Sequence, residues 1–147
     1  MAPRDVPHDP SKSRRARVWP AALAAVIFLA SSRSQIAGPD IAGIDKVAHF
    51  LVYGLLGTLL GRLGRGRRAA GWALLAASLY GISDEWHQSF TPGRSVEVAD
   101  WAADTLGAAL AVTLYTAWPR YRGWLEIPVK RKRRVEKPAP VATHLEP

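Results

Sequence analysis

Apolar residues gather in four runs, 18–32, 47–63, 69–83 and 98–118, separated by short polar or arginine-rich stretches. Wound at 3.6 residues per turn, AAGWALLAASLYGIS and LGAALAVTLYTAW have apolar residues all round, whereas a helix of a water-soluble bundle needs a polar outer face. The pattern therefore predicts an all-α fold, an integral membrane bundle of four short transmembrane helices. A bilayer core of about 30 Å takes about 20 helical residues. The first three runs are shorter than that, so the polar residues beside them belong at the edge of the core or just inside it. Trp19, Trp72, Trp101, Trp118 and Trp124 fall near the ends of runs, as interfacial anchors do.

Basic residues assign the sides. Residues 1–17 carry five Lys or Arg, 62–68 carry four and 119–147 carry eight, leaving only Arg33, Lys46 and Arg94 for the opposite side. The positive-inside rule then places both termini and the 62–68 loop in the cytoplasm, with loops 31–46 and 84–97 outside, in a bacterial cytoplasmic membrane. This divides the chain into a basic cytoplasmic tail (1–17), the membrane domain (18–118) and a second basic, disordered tail (119–147). Seven acids face three bases on the outer side, and five acids face 17 bases on the inner side. A positive balance confined to inner loops is explained by topology and by attraction to anionic lipid, so nucleic-acid binding is not needed to account for it. KRKRR at 130–134 reads first as a lipid-facing anchor. Arg14, Arg15 and Arg17 ahead of a run ending in LASS also describe a secretory signal, but the long basic lead and the lack of an A-x-A site favour a retained helix.

Length suits one domain, and the absence of cysteine excludes disulfides, thiolate metal sites and a cysteine nucleophile. Any metal would need histidine and carboxylate ligands. Such residues occur in two clusters. Asp45, His49 and Tyr53 are spaced i, i+4, i+8 on one helical stripe, with Lys46 beside them; the run from Ser83 to Gly107 holds Asp84, Glu85, His87, Gln88, Arg94, Glu97, Asp100 and Asp104. Counted from the inner ends of their helices, His49, Asp84 and Asp104 lie 14 or 15 residues up, about 21–23 Å. All three would occupy one layer near the outer surface. A charged side chain facing lipid is expensive, so the stripes should turn toward each other. Gly54, Gly57, Gly61 and Gly107 would let the helices approach closely. Thr91, Pro92 and Gly93 predict a turn presenting Arg94, which suits either an anionic ligand or an ion pair with Glu85 or Glu97.

These residues carry a family resemblance. Asp45-Lys46-x-x-His49-Phe50-x-x-Tyr53-Gly54, Ser83-Asp84-Glu85-x-His87-Gln88, Pro92-Gly93-Arg94, Asp100 and Asp104-Thr105-x-Gly107, in this order across roughly residues 20–118, resemble the VanZ-like family. The resemblance implies a small helical bacterial membrane protein, with a named member linked to teicoplanin resistance, and hence a role in the cell envelope. The family pattern often has Asn where this chain has Asp104, which adds an acid to the layer.

Three functions compete. In the first, Asp45, His49, Asp84, Glu85 and His87 form a catalytic set, with Lys46, Tyr53, Gln88, Arg94, Asp100 and Asp104 binding a lipid-linked or cell-wall ligand. His49 and His87 with a carboxylate would then either hold a divalent metal or act as acid and base, although no H-E-x-x-H or G-x-S-x-G signature accompanies them. The second is proton-linked transport, which an inverted repeat would support and this chain lacks. The third is a non-catalytic membrane scaffold that binds an envelope partner, which the KRKRR tail would fit; against all three stands a purely structural reading, a satisfied buried ion network that holds the short helices in register.

Overall fold

The computed structural model describes residues 10–34 and 43–126, and among them contains helices and no strand. Four long helices, α1 (Pro10–Ser31), α2 (Ile44–Gly61), α3 (Gly66–Gln88) and α4 (Val98–Ala117), are followed by the short α5 (Pro119–Leu125). The four apolar runs thus become four helices, with different ends. α1 begins in the basic lead, eight residues before the apolar run, and carries Pro20 inside it. α3 continues past Ser83, so Ser83 to Gln88 is helical and its polar groups are arranged at helical spacing. Residues 119–125, assigned to a disordered tail by sequence, form α5, because Pro119 at the first helical position ends α4 and starts a new helix. KRKRR at 130–134 lies outside the described residues.

By length and composition α2 is the one described helix able to cross a bilayer, with an 18-residue stretch of mean hydropathy 1.3. α1 holds a shorter apolar stretch, 16–31. The expected set of four spans is therefore met by composition at one helix. The reason is visible in the sequence: Arg67 and Arg68 open α3, Asp84, Glu85 and His87 close it, and Asp100 and Asp104 sit in α4.

α2 and α4 make the most extensive contact, followed by α3 with α4. Glycine sets that closeness. A Cβ on Gly107 would stand 2.0 Å from the Phe50 carbonyl oxygen, and one on Gly57 would stand 2.9 Å from Ala108 Cα. A Cβ on Gly54 would stand 3.3 Å from the Gly107 carbonyl oxygen, a tight approach but a lesser one, and one on Gly61 would meet only ordinary contact with the Tyr115 ring at 3.5 Å. α1 packs more lightly, laying Leu23 and Ile27 against Tyr53, Leu56, Leu60 and Tyr80. Polar contacts tether it, among them Tyr80 Oη donating to the Ala24 carbonyl (2.6 Å) and Thr91 Oγ1 to the Ser31 carbonyl (3.2 Å).

Candidate functional site

The polar stripes of α2, α3 and α4 converge at one end of the bundle. His49 Nδ1 donates to Asp104 Oδ1 across the α2 and α4 interface at 2.9 Å. The i, i+4 step from Asp100 to Asp104 puts both on the same face of α4, and Asp100 Oδ2 lies 3.9 Å from His49 Nε2. From α3, Glu85 Oε2 accepts the backbone N–H of Glu97 at 2.8 Å. Glu97 is the N-cap residue of α4. Glu85 therefore satisfies a donor at the end of α4 where backbone N–H groups lack intrahelical partners and negative charge is favoured. Asp84, one residue earlier, accepts from Gln88 Nε2 at 3.2 Å within its own helix.

Lys46 forms a separate knot at the rim. Its ammonium is 2.9 Å from Asp45, 2.9 Å from Glu97 and 3.1 Å from Asp100. Asp45 is exposed there, outside the buried group in which sequence placed it. Tyr53 sits one turn below His49, almost fully buried, with its ring parallel to the imidazole at 6.4 Å.

His87 departs from expectation. It turns toward α1, stacking on Phe28 at 4.1 Å and hydrogen-bonding Ser32 Oγ through Nε2 at 2.9 Å. Asp84 and Gln88 are about one turn apart and share a face, while His87 is rotated by about 60° from Asp84 and about 100° from Gln88. The pair of histidines expected to share a metal is therefore not assembled. Arg94 also resolves differently from the ion pairs considered for it. The predicted turn forms, with Gly93 at φ +80° and Arg94 N–H bonded to the Thr91 carbonyl at 3.1 Å. The guanidinium, however, reaches Gln88 Oε1 at 3.5 Å, and among the described residues it pairs with no carboxylate. Its Nε is buried without a partner.

A cavity of about 250 Å³ opens between α1, α2 and α3 beside this group. Leu23, Val26, Ile27, Ala30, Ala48 and Val52 make an apolar wall; His49, Tyr53, Asp84, Gln88 and Arg94 make a polar one. Eleven positions singled out by sequence thus divide: His49, Tyr53, Asp84, Glu85, Gln88, Arg94, Asp100 and Asp104 gather in or beside the centre, Lys46 and Asp45 mark its rim, and His87 serves α1. Sequence reading gave Glu97 only as charge and as a candidate partner for Arg94. Its position three residues before Asp100, at the start of a helix, was the available signal for its double role.

Charge in this centre is unbalanced. Asp84, Glu85, Asp100 and Asp104 are all buried, whereas no lysine or arginine is buried among the described residues. Buried carboxylates cost several kcal/mol each unless neutralised, so some must carry protons or meet a bound cation. Chemically, the arrangement offers an imidazole oriented by a carboxylate, further acids within reach and an arginine that pairs with no carboxylate among the described residues.

No curated protein and no solved structure matches the chain. The VanZ/LLP1 family profile matches residues 6–119, which includes α1 to α4 and with them every helix bearing on the centre, and the chain belongs to that family.

Proposed function

We propose that this chain is a four-span protein of the bacterial cytoplasmic membrane whose outward-facing polar centre binds the anionic head of a lipid or lipid-linked envelope ligand. The observation that carries this reading is the two-sided cavity. Its apolar wall suits an acyl or polyprenyl chain, and its polar wall offers Arg94, unpaired with any described carboxylate, for a phosphate or carboxylate. His49, held by Asp104, faces the head group from the polar wall, with a carboxylate oxygen of Glu85 within 4.8 Å of its imidazole.

Membrane insertion by all four long helices is supported by the distribution of side chains. Val26, Phe28, Leu51, Leu55, Leu79, Ile82, Leu106 and Leu110 are exposed while carboxylates are buried, the reverse of a water-soluble bundle. Trp72, Trp118 and Trp124 are exposed near helix ends, and Trp19 is exposed near the start of the apolar stretch of α1, where interfacial anchoring would place them. Basic loops put both termini and Arg62 to Arg68 on the cytoplasmic side, in contact with anionic lipid. A contribution to glycopeptide resistance, the property attached to the family's named member, is one envelope role that such a site could serve.

The test is replacement of His49, Glu85 and Arg94 by Gln in cells that depend on the protein for an envelope phenotype, glycopeptide susceptibility included. Membrane yield is scored separately. Loss of phenotype at wild-type yield is expected, and an unchanged phenotype, or a loss that tracks yield alone, sinks the proposal.

A further inference from the structure

Three side chains in the buried centre each have one atom tied and one left over. His49 gives Nδ1 to Asp104, Glu85 has Oε2 on the Glu97 N–H, and Asp100 has Oδ1 beside the Lys46 ammonium. What remains is His49 Nε2, Glu85 Oε1 and Asp100 Oδ2. One donor atom from each of the three residues lies within 4.8 Å of the other two. We infer that His49, Glu85 and Asp100 form a binding site for a divalent transition-metal cation, Zn²⁺ or Mn²⁺.

Four observations converge on this. First, Glu85 is only 4% exposed, and Oε1 has no hydrogen-bond partner among the described residues. Second, a proton on that oxygen would itself need an acceptor, which the described residues do not offer, whereas a cation needs only the lone pair. Third, the outer contacts are those of a metal site: ligating imidazoles commonly donate their second nitrogen to a carboxylate, as His49 does to Asp104, and ligating carboxylates are themselves hydrogen-bonded, as Glu85 is. Fourth, the surplus of buried negative charge calls for a positive partner.

Geometry is within reach of coordination. Ligand bonds of about 2.0–2.2 Å to a tetrahedral ion separate donor atoms by about 3.4 Å, and His49 Nε2 and Asp100 Oδ2 are already 3.9 Å apart. One imidazole nitrogen and two carboxylate oxygens suit zinc or manganese and exclude a preference for soft ions. Three protein ligands leave a position for water or for an oxygen of the anionic head. The neighbouring group Asp45, Glu97 and Asp100 also meets the distance requirement, but the Lys46 ammonium already sits within 3.1 Å of all three. It has no vacancy for a second cation.

The inference concerns the centre of the proposed function and does not depend on its ligand. Full-length protein purified in detergent without chelator is expected to carry about one equivalent of Zn or Mn per chain by elemental mass spectrometry. After chelation, calorimetric titration with Zn²⁺, and separately with Mn²⁺, should restore one site. Glu85→Gln and Asp100→Asn should abolish binding while keeping the wild-type elution profile, and Asp104→Asn should weaken it about 10- to 100-fold. Asp45→Asn, at the neighbouring group, should keep the stoichiometry at one. Wild-type protein that takes up neither metal overturns the inference even if every variant misfolds, and so does unchanged affinity in a folded Glu85→Gln, Asp100→Asn double variant. Metal binding by the wild-type protein, alongside an unaltered envelope phenotype in the His49→Gln, Glu85→Gln and Arg94→Gln variants, would sink the ligand reading alone.

Discussion

His49 on α2 and Asp104 on α4 are joined by a 2.9 Å hydrogen bond between residues 55 apart in sequence, and Asp104 is fully buried. An ionised carboxylate only accepts, so the bond fixes the imidazole with its proton on Nδ1 and its lone pair on Nε2, toward Asp100. One contact thereby sets both the packing of two helices and the tautomer of the one histidine that the described residues bring to the centre.

Asp104→Ala removes the acceptor, while Asp104→Asn can keep an oxygen in the same place. Interhelical hydrogen bonds in membranes are worth about 1–2 kcal/mol at the upper end. Thermal unfolding in detergent should show Asp104→Ala destabilised by about that much, with Asp104→Asn closer to wild type. Equal loss in the two variants would mean that the hydrogen bond does not hold α2 to α4.

Gly107 should be the least replaceable glycine. A Cβ there would overlap the Phe50 carbonyl, so Gly107→Ala must part α2 from α4, at about 1–3 kcal/mol or more. Gly71 has nothing within 4 Å of the same position, and Gly71→Ala on α3 should be neutral or stabilising by up to about 1 kcal/mol. Reduced detergent-stable yield for the first and not the second is the expected pattern.

His87 should behave as a clamp on α1. His87→Phe retains the stack on Phe28 and loses only the Ser32 contact, whereas His87→Ala loses both, and an aromatic pair is worth about 0.5–1.5 kcal/mol. Limited proteolysis should find α1 more readily released in His87→Ala than in His87→Phe. Zinc uptake should be unchanged in both; its loss in His87→Phe would restore this histidine to the centre.

Topology can be read directly because the chain has no native cysteine. Ser95→Cys, exposed in the loop before α4, should react with a membrane-impermeant maleimide in intact cells, and Arg67→Cys only after permeabilisation. The opposite labelling would invert the orientation and put the polar centre at the cytoplasmic face.

Residue spacing carried the helices and the common level of the centre. Four apolar runs could be counted, and nearly equal distances from the inner ends aligned His49, Asp84 and Asp104, because rise per residue in a helix is nearly constant. The turn at Thr91 to Arg94 followed equally from Pro92 and the positive φ open to Gly93. Family motifs pointed the same way, and the profile match agrees with them.

Rotation about the helix axis and the pairing of side chains were decided by packing. A step of 100° per residue separates His87 from Asp84 and Gln88 by enough to send it to α1, but only the position of α1, with Phe28 and Ser32, shows that it goes there. Asp45 leaves the buried group because Lys46 holds it at the rim, and Glu97 enters because its backbone N–H caps α4 with the carboxylate of Glu85. Composition alone could name the acids; which oxygen of each is tied and which is free depends on contacts between residues 12 to 55 positions apart. The sequence by itself determined the rods and the level of their charges, since both follow from local periodicity. Which charges meet was decided by the tertiary structure, since glycine contacts as tight as that of Gly107 with Phe50 fix how the rods are turned.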